Sequence, residues 1–218
     1  MSSQTVEHVV LFKAKDNADP SKINAWLDAL NGLISLDQVL HLSAGPALQI
    51  RSSSSSLGFT HILHCRYGSE QDLAAYSVHP SHVSVVKDHG QSLIDDIMAV
   101  DWLAAAAHDI HPPPGSAIRV TFLKLKEDLG DDVKSEILAG IRGIKERFGQ
   151  ITQFTSGENF SPGRAKGFSL AWLALFPGRS ELESMDSNED LIYLKEQQKD
   201  KDFVESELVV DYVVPLPL

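Results

Sequence analysis

The 218-residue sequence has a single cysteine, few basic residues and no histidine beyond residue 111. Because Cys65 is alone, no internal disulfide can form, which is typical of a protein from a reducing compartment. Lysine and arginine total 19 against 30 aspartates and glutamates, so the formal net charge is −11. That charge repels phosphate backbones and anionic lipid, so we expect neither a nucleic-acid partner nor a membrane partner.

We expect no targeting segment, and the sequence has no apolar run long enough to span a bilayer. Residues 1–5 lead directly into a strand-like segment, and residues 214–218 match no retention or peroxisomal signal. We therefore expect a cytoplasmic protein. Hydrophobic residues make up 43% of the chain and charged residues 22%. Both values are ordinary for a globular protein that buries a substantial core.

Strand and helix patterns follow the same order in the two halves of the chain. Periodicity and turn residues place strands and helices along the sequence. In the first half they predict strands over 6–13, 39–48, 58–67 and 97–103 and helices over 20–34, 71–76 and 81–94. In the second half they predict strands over 117–125, 151–154, 167–176 and 207–214 and helices over 131–148 and 180–203. A serine run over 52–56 predicts a flexible loop.

Three sequence landmarks recur at nearly constant spacing, which indicates an internal duplication. They are Phe12-Lys13 with Leu123-Lys124, Gly58-Phe59 with Gly167-Phe168, and Asp101-Trp102 with Asp211-Tyr212. We therefore predict one domain over residues 1–104 and a second over 117–218. The linker over 105–116 contains the run Pro112-Pro113-Pro114-Gly115, which is typical of a connection between units.

Each copy has the order β-α-β-β-α-β of the ferredoxin-like unit, so the predicted class is α+β. Helices cover one face of such a sheet and leave the other bare, and a bare apolar sheet is unfavourable in water. Two copies can cover each other sheet to sheet and close an intramolecular dimeric α/β barrel. The alternative is two independent domains joined by a linker, but in that arrangement nothing covers the bare apolar sheet faces. Association of this pseudo-dimer into a homodimer stays open.

All nine histidines lie in the first copy and its linker. Histidine is the side chain that titrates nearest neutral pH, and it is the usual proton-transfer group. A duplicated fold that keeps these rings in one copy indicates a site in that copy. The alternative interpretation is compositional drift.

Motifs of the first copy resemble those of a known family. They are Gly58-Phe59-Thr60-His61, the pattern Tyr76-x-x-His79-Pro80-x-His82, and Asp101-Trp102. The chain resembles the stress-responsive dimeric α/β-barrel (Dabb) family of plants, by motif over 6–103 and by pattern over 117–214. The resemblance implies a ferredoxin-like barrel, here fused in tandem. Family members include heat-stable stress proteins and a cofactor-free polyketide cyclase that forms olivetolic acid.

The resemblance to the cyclase-like members implies catalytic roles for Tyr76 and His82. The histidine would be the general base of an aldol ring closure, and the tyrosine hydroxyl would hold the substrate carbonyl. Neither step needs a metal or another cofactor, so none is expected. In the alternative interpretation both residues belong to the scaffold, with His82 bonded to a backbone carbonyl.

Three further histidines, His8, His61 and His79, are candidate pocket-lining residues. His8 and His61 are expected to share the barrel interior, whereas His61 and His64 point to opposite faces of one strand and cannot bind one metal together. The alternative for His79 is that His79-Pro80 sets the turn between two helices. The family also implies a weak candidate cation site at the backbone carbonyls of Asn31, Gly32 and Ile34.

The second copy replaces every one of these groups. Arg119, Leu170, Met185, Asn188 and Leu191 stand for His8, His61, Tyr76, His79 and His82. At most one site therefore survives in each chain.

Two functions follow for that site. The first is a stress-responsive protein that binds a small hydrophobic ligand or contributes stability or defence without turnover. The alternative is a cofactor-independent aldol-type cyclase or lyase. Heme or quinol monooxygenase chemistry is a third possibility that rests on architecture alone. Cys65, with no base beside it, is expected to be a buried, inert thiol.

Overall fold

The computed structural model describes residues 4–53, 57–105, 111–187 and 203–216. The first half of the chain begins with a long strand and a helix that Asp19 caps, since its Oδ1 accepts a hydrogen bond of 2.8 Å from the Ser21 amide. Its elements are β1 (Gln4–Ala14), α1 (Pro20–Gly32), a 3-10 turn (Leu33–Ser35), β2 (Val39–Pro46), β3 (Gln49–Ser52), β4 (His61–Tyr67), α2 (Glu70–Val78), α3 (Pro80–Ser84), a π-helical turn (Val85–Gly90), α4 (Gln91–Leu93) and β5 (Ile94–Ala105).

The second half repeats the β-α-β-β-α-β order. Its elements are β6 (Ala117–Leu125), α5 (Asp131–Arg142), α6 (Ile144–Arg147), β7 (Gln153–Glu158), a 3-10 turn (Pro162–Arg164), β8 (Leu170–Phe176), α7 (Arg179–Asp186) and β9 (Val204–Val213). The predicted α+β class, with two ferredoxin-like units, is confirmed. Among the described residues, no helix is long and apolar enough to cross a membrane.

Several predicted boundaries are wrong in detail. The strand expected over 39–48 ends at Pro46. A separate strand, β3, begins at Gln49. The helix expected over 81–94 is interrupted by the π-helical turn. The serine run begins inside β3, while residues 54–56 lie outside the described part of the chain. The helix expected over 180–203 is seen only as α7, because residues 188–202 also lie outside it.

The strands form two antiparallel sheets. The first sheet has the order β2-β4-β1-β5 and the second the order β3-β9-β6-β8-β7. Strand β3 belongs to the first half by sequence but pairs with β9 of the second half, with Gln49 opposite Asp211. A strand of one half therefore completes the sheet of the other.

The chain makes a second crossing in the opposite direction. Asn159 forms an isolated bridge with Trp102 of β5, and the amide of Phe160 donates to the carbonyl of Asp101 at 3.0 Å. At the first crossing the amide of Leu48 donates in the same way to the carbonyl of Asp211 at 2.8 Å. The two crossings thus occupy equivalent positions in the two halves. At each one, a segment of one half pairs with an edge of the other half's sheet.

The largest core cluster lies between the two sheets. It combines residues of both halves, such as Leu11, Ile62, Trp102, Phe122, Leu173 and Tyr212, all of them buried. Two further clusters lie between each sheet and its own helices. The alternative of two independent units is therefore wrong, because the bare sheet faces cover each other as an intramolecular pseudo-dimer.

Candidate functional site

Alternation along the strands decides which histidines can share a site. Side chains of a strand point to opposite faces in turn. His8 lies on β1 between Val6 and Val10, which pack with the helices, whereas Val9 and Leu11 pack between the sheets. His8 therefore faces the helices, and the expectation that it lies in the barrel interior is wrong.

His61 is likewise on the helix side, so its expected place in the barrel interior is also wrong. Its ring lies edge-on to Trp26 of α1, with centroids 5.9 Å apart. Its Nδ1 lies 2.7 Å from the Thr60 hydroxyl, and burial lowers its pKa. His64, three residues further on, is fully buried and bonded to Glu7 on the opposite face of β4, as alternation requires. His61 is not among the residues that line the cleft described next.

A cleft of about 840 Å³ lies between the first sheet and the helices that cover it. Its apolar lining includes Val10, Phe12, Trp26, Leu30, Leu63 and Ile97, and its polar lining includes His8, Tyr76, Ser77, His82, Lys87 and Arg164. Arg164 comes from the second half of the chain. The cleft is therefore a site of the first half to which the second half contributes one cationic side chain.

His8 is held at the cleft by a buried carboxylate. Its Nδ1 lies 2.5 Å from Oδ1 of Asp101 on the neighbouring strand β5, and the Asp101 side chain is 7% exposed. Because a carboxylate only accepts, Nδ1 carries the proton, which leaves Nε2 as the acceptor atom of a neutral ring. Sequence reasoning did not identify Asp101 as part of the site. The sequence signal that could have identified it is the recurrence of Asp101 as Asp211 in the second copy.

His82 has the same tautomer through a different partner. Its Nδ1 donates to the backbone carbonyl of Ser77 at 3.1 Å, so Nε2 is again the acceptor of the neutral ring. Burial lowers the pKa of His82 below its ordinary value, so the neutral form predominates at neutral pH. The backbone bond expected in the scaffold interpretation is present, and the ring still lines the cleft.

Tyr76 and His82 lie together without a hydrogen bond between them. Their ring centroids are 4.5 Å apart and the rings are tilted by 42°. The Tyr76 hydroxyl is buried beside Tyr67 and has no partner of good hydrogen-bond geometry in the described part of the chain. Burial raises its pKa, so it stays protonated. In this arrangement Tyr76 supports the His82 ring by contact.

His79 sets a turn, as the alternative interpretation predicted. Its Nδ1 accepts a hydrogen bond of 3.2 Å from the amide of Ser81, which caps α3, and Pro80 occupies the first helical position. His79 does not line the cleft.

The end of α1 is tied by side-chain hydrogen bonds. The Asn31 amide donates to the carbonyls of Leu27 and Ala44 at 2.9 and 3.0 Å, and the Gly32 carbonyl accepts from the Ser35 hydroxyl at 2.9 Å. A cation on the carbonyls of Asn31, Gly32 and Ile34 stays a prediction. Within the described ranges, no group of three His, Cys, Asp or Glu side chains is placed to hold a metal ion.

The equivalent strands of the second half carry an ion-pair group. Arg119, at the position of His8, donates through Nε to Oδ1 of Asp211 at 2.7 Å. It also donates through Nη1 and Nη2 to the two carboxylate oxygens of Asp186 at 2.7 and 2.8 Å. Burial alone would lower the pKa of Arg119, but the hydrogen bonds to Asp211 and Asp186 raise it.

Side chains of the second half also take the positions that line the cleft in the first. Asp186 stands at the position of Ser77, and Trp172 at that of Leu63, where it stacks on Phe154 with centroids 5.6 Å apart. Trp172 and Met185 are buried.

A second buried polar cluster lies between the sheets. Glu7 accepts hydrogen bonds of 2.6 Å from His64 Nε2 and 3.0 Å from Arg66 Nε, and all three side chains are fully buried. Arg66 also donates to Gln153 of the second half at 3.0 Å. Burial alone would raise the pKa of Glu7, but the charge of Arg66 and the hydrogen bond from His64 lower it to about 2. This cluster joins the two halves and has no access to the cleft lining.

Cys65 is buried on the helix side of β4. Burial raises the pKa of its thiol. The thiolate, which is the nucleophile, is therefore disfavoured, as expected of an inert thiol.

Comparison with known proteins agrees with this architecture. The chain matches the family described as "Stress responsive A/B Barrel Domain" twice, over residues 6–104 and 118–214. Two relatives from Arabidopsis thaliana are stress-response A/B barrel domain-containing proteins. One is 51% identical over 98% of this chain and 80% of its own length, and the other is 45% identical over 98% of each chain.

A solved structure from Fusobacterium nucleatum has the same fold across both halves. It has a TM-score of 0.65 at 13% identity and covers 99% of this chain and 94% of that one. This likeness concerns the fold alone. The family match spans both halves, and so the chain belongs to the stress responsive A/B barrel domain family.

Proposed function

We propose that this stress-response A/B barrel protein acts by binding a small, largely apolar molecule in the cleft of its first half. The observation that carries the proposal is the contrast between the two copies. The cleft of the first copy is open between Leu63 and His8, whereas Trp172 and the Arg119–Asp186 pair take the equivalent positions in the second. An apolar cavity with a few convergent polar groups is the usual form of a ligand site.

The lining supports a ligand with an apolar body and a small polar group. Phe12, Trp26 and Leu63 offer apolar surface that a ligand can cover, and burying each methylene contributes roughly 0.8 kcal/mol. The rings of His8 and His82 supply the polar contacts, since each keeps Nε2 for a ligand.

A binding assay with a matched pair of tryptophan variants tests this function. The probe is 1-aminoanthracene, a neutral apolar fluorophore. Leu63→Trp introduces into the cleft the residue that the second half carries at the equivalent position, and we expect probe binding to fall at least about tenfold. Val78→Trp adds the same side chain at a site that is 75% exposed, and it should bind like the wild type.

Two results would count against the binding function. One is a wild-type protein that does not bind the probe. The other is a folded Leu63→Trp variant, judged by circular dichroism, that binds the probe as well as the wild type does.

The tautomers of His8 and His82 favour a second candidate function, a cofactor-free aldol-type ring closure. In this proposal the Nε2 of His82 takes the substrate proton, and Tyr76 holds the ring in place. The experiment incubates the protein with linear poly-β-keto thioesters and compares wild type with His82→Ala. Equal product from both proteins would exclude the catalytic role of His82. Binding stays the first proposal, because the family relationship is to stress-response proteins.

The assembly and location belong to the same proposal. The pseudo-dimer supplies Arg164 to its own cleft, so we propose that one chain is the functional unit, and sedimentation analysis tests for a further homodimer. A cytoplasmic location is consistent with the lone, buried thiol of Cys65.

A further inference from the structure

The second half contains an internal template for a bound carboxylate. The carboxylate of Asp186 lies against the guanidinium of Arg119 with two hydrogen bonds of 2.7 and 2.8 Å. Arg51, which the first half contributes through β3, approaches the same carboxylate at 3.4 Å and Asp211 at 3.0 Å. A carboxylate is thus held between a cation of its own half and an arginine from the other half.

The first half has the same arrangement without its own carboxylate. His8 stands at the position of Arg119, and Asp101 stands at that of Asp211 and bonds His8 in the same way. Ser77 stands at the position of Asp186, and its hydroxyl donates back to the carbonyl of Leu73 at 2.9 Å. The cleft therefore keeps the basic side chain and its buried partner but not the anion that the second half supplies.

The segments that cross between the halves place Arg51 and Arg164 at corresponding positions. Arg51 follows Leu48, whose amide bonds Asp211, by three residues, and Arg164 follows Phe160, whose amide bonds Asp101, by four. Each half thus presents an arginine to the site of the other. Arg164 lines the cleft and is exposed, and its side chain forms no hydrogen bond or ion pair with another residue in the described ranges.

The carboxylates that line the cleft do not satisfy Arg164. Asp96 is held by Lys166 at 2.7 Å, and Asp95 is exposed at the start of β5. Charge-assisted bonds from arginine to carboxylate are strong and geometrically specific, so a ligand anion is the natural partner of Arg164.

We infer that the cleft takes an apolar molecule that carries one carboxylate, and that this carboxylate lies between Arg164 and His8. Because a carboxylate only accepts, the Nε2 of His8 then carries a proton and donates it to the carboxylate in a hydrogen bond. The apolar body of the ligand packs against Trp26, Phe12 and Leu63. This inference rests on the proposed binding function and names the ligand class of that same site.

Decanoate and 1-decanol test the inference, because they share one apolar chain and differ in the charged group. Each is titrated against bound 1-aminoanthracene at neutral pH. We expect decanoate to displace the probe at a concentration at least roughly tenfold lower than 1-decanol does, the usual gain from a hydrogen bond to a charged group. Arg164→Gln should abolish this preference by weakening the binding of decanoate more than that of 1-decanol. Arg147→Gln, an exposed arginine of α6, is the matched control and should keep the preference.

A transplant of the internal carboxylate provides the second test. Ser77→Asp places in the first half the group that Asp186 supplies in the second, so it should weaken decanoate binding roughly tenfold or more. Ser77→Asn has nearly the same shape without the charge and should have a smaller effect.

The outcomes separate the two proposals. If decanoate and 1-decanol bind alike and Arg164→Gln changes neither, the carboxylate inference is wrong while ligand binding stands. If the probe and both decyl ligands fail to bind the wild type, the proposed function is wrong as well.

Discussion

The two halves of this protein place the same buried aspartate beside different partners. Asp101 bonds a histidine and Asp211 bonds an arginine at equivalent positions of equivalent strands. An arginine is always charged and offers five donors, so a buried arginine needs more hydrogen-bond acceptors than one carboxylate provides. Asp186 supplies two of those acceptors to Arg119. A histidine can be neutral and needs one partner, so the first site stays open.

The difference between the two halves also shows what replaces a histidine of the first half in the second. The ring lost from the second half is replaced by a closed ion-pair group, and Trp172 is buried at the position of Leu63. The first copy has a cleft where, at equivalent positions, the second copy carries Trp172 and the Arg119–Asp186 pair. The second copy also contributes to the cleft of the first, because its Phe160 amide bonds the carbonyl of Asp101 on β5 and its Arg164 lines the cleft.

Removal of Arg119 should give the largest effect on stability. Arg119→Met leaves Asp211 buried and without two of its hydrogen bonds, and breaking one partner of a buried ion pair costs roughly 3–5 kcal/mol. Urea unfolding measures the loss. His8→Met, the equivalent change in the first half, should cost less because His8 can be neutral. An equal or greater loss for His8→Met would contradict the comparison.

Acid should weaken the protein through the buried histidines of the first half. Burial lowers the pKa of His41 to about 2 from an ordinary value of 6.5, so below pH 6.5 the unfolded chain binds the proton that the folded state does not. The free energy of unfolding should therefore fall as the pH drops below 6.5, at roughly 1.4 kcal/mol per pH unit for one such group. Glu7, whose pKa is lowered to about 2 from 4.5, adds a further loss only below pH 4.5.

His41→Asn tests this pH dependence. It should flatten the decline between pH 6.5 and 4.5 in urea unfolding, whatever its effect at neutral pH. The exposed His89, changed to asparagine, is the control and should keep the slope of the wild type. An unchanged slope in His41→Asn would remove His41 as the cause.

Gly157 and Gly45 occupy equivalent positions in the two halves, and alanine substitutions there test how tightly the two sheets pack at each position. A Cβ at Gly157 would lie 2.9 Å from the Trp102 side chain and 3.0 Å from the carbonyl of Leu103, which is backbone. A Cβ at Gly45 would lie 3.1 Å from the edge of the Tyr212 ring, which can shift slightly. Gly157→Ala should cost roughly 1–3 kcal/mol and Gly45→Ala less, as thermal or urea unfolding would show. The reverse order would mean that the Tyr212 side is the tighter one.

The smallest effect is expected at the exposed ion pair that joins the halves. Lys166 lies 2.7 Å from Asp96, and both side chains are partly exposed. Lys166→Gln should change the free energy of unfolding by about 0–1 kcal/mol. Arg51→Gln removes a bond to the buried Asp211 and should cost more. A double-mutant cycle of Lys166 with Asp96 that gave several kcal/mol would contradict this ranking.

Much of the fold could be predicted from local patterns, and the site less well. The Asp19 cap and the period of α1 are short-range signals, and the recurrence of Gly58 as Gly167 is visible when the two halves are compared. The duplicated α+β fold that they predicted is confirmed. The place of His8 on the helix side depends on which alternate residues of β1 meet the other sheet. Both faces of β1 are apolar, so its sequence does not distinguish them.

The sequence by itself determined the duplication, the two ferredoxin-like units and the presence of histidine in one copy only, because these depend on composition, on periods of a few residues and on landmarks that recur between the halves. Only the tertiary structure decided that β3 joins the opposite sheet, that Asp101 holds His8 across 93 positions of the chain, and that Asp186 rather than a ligand meets Arg119. Those pairings depend on strand register and on buried charges finding partners, and both are settled only when distant segments pack together.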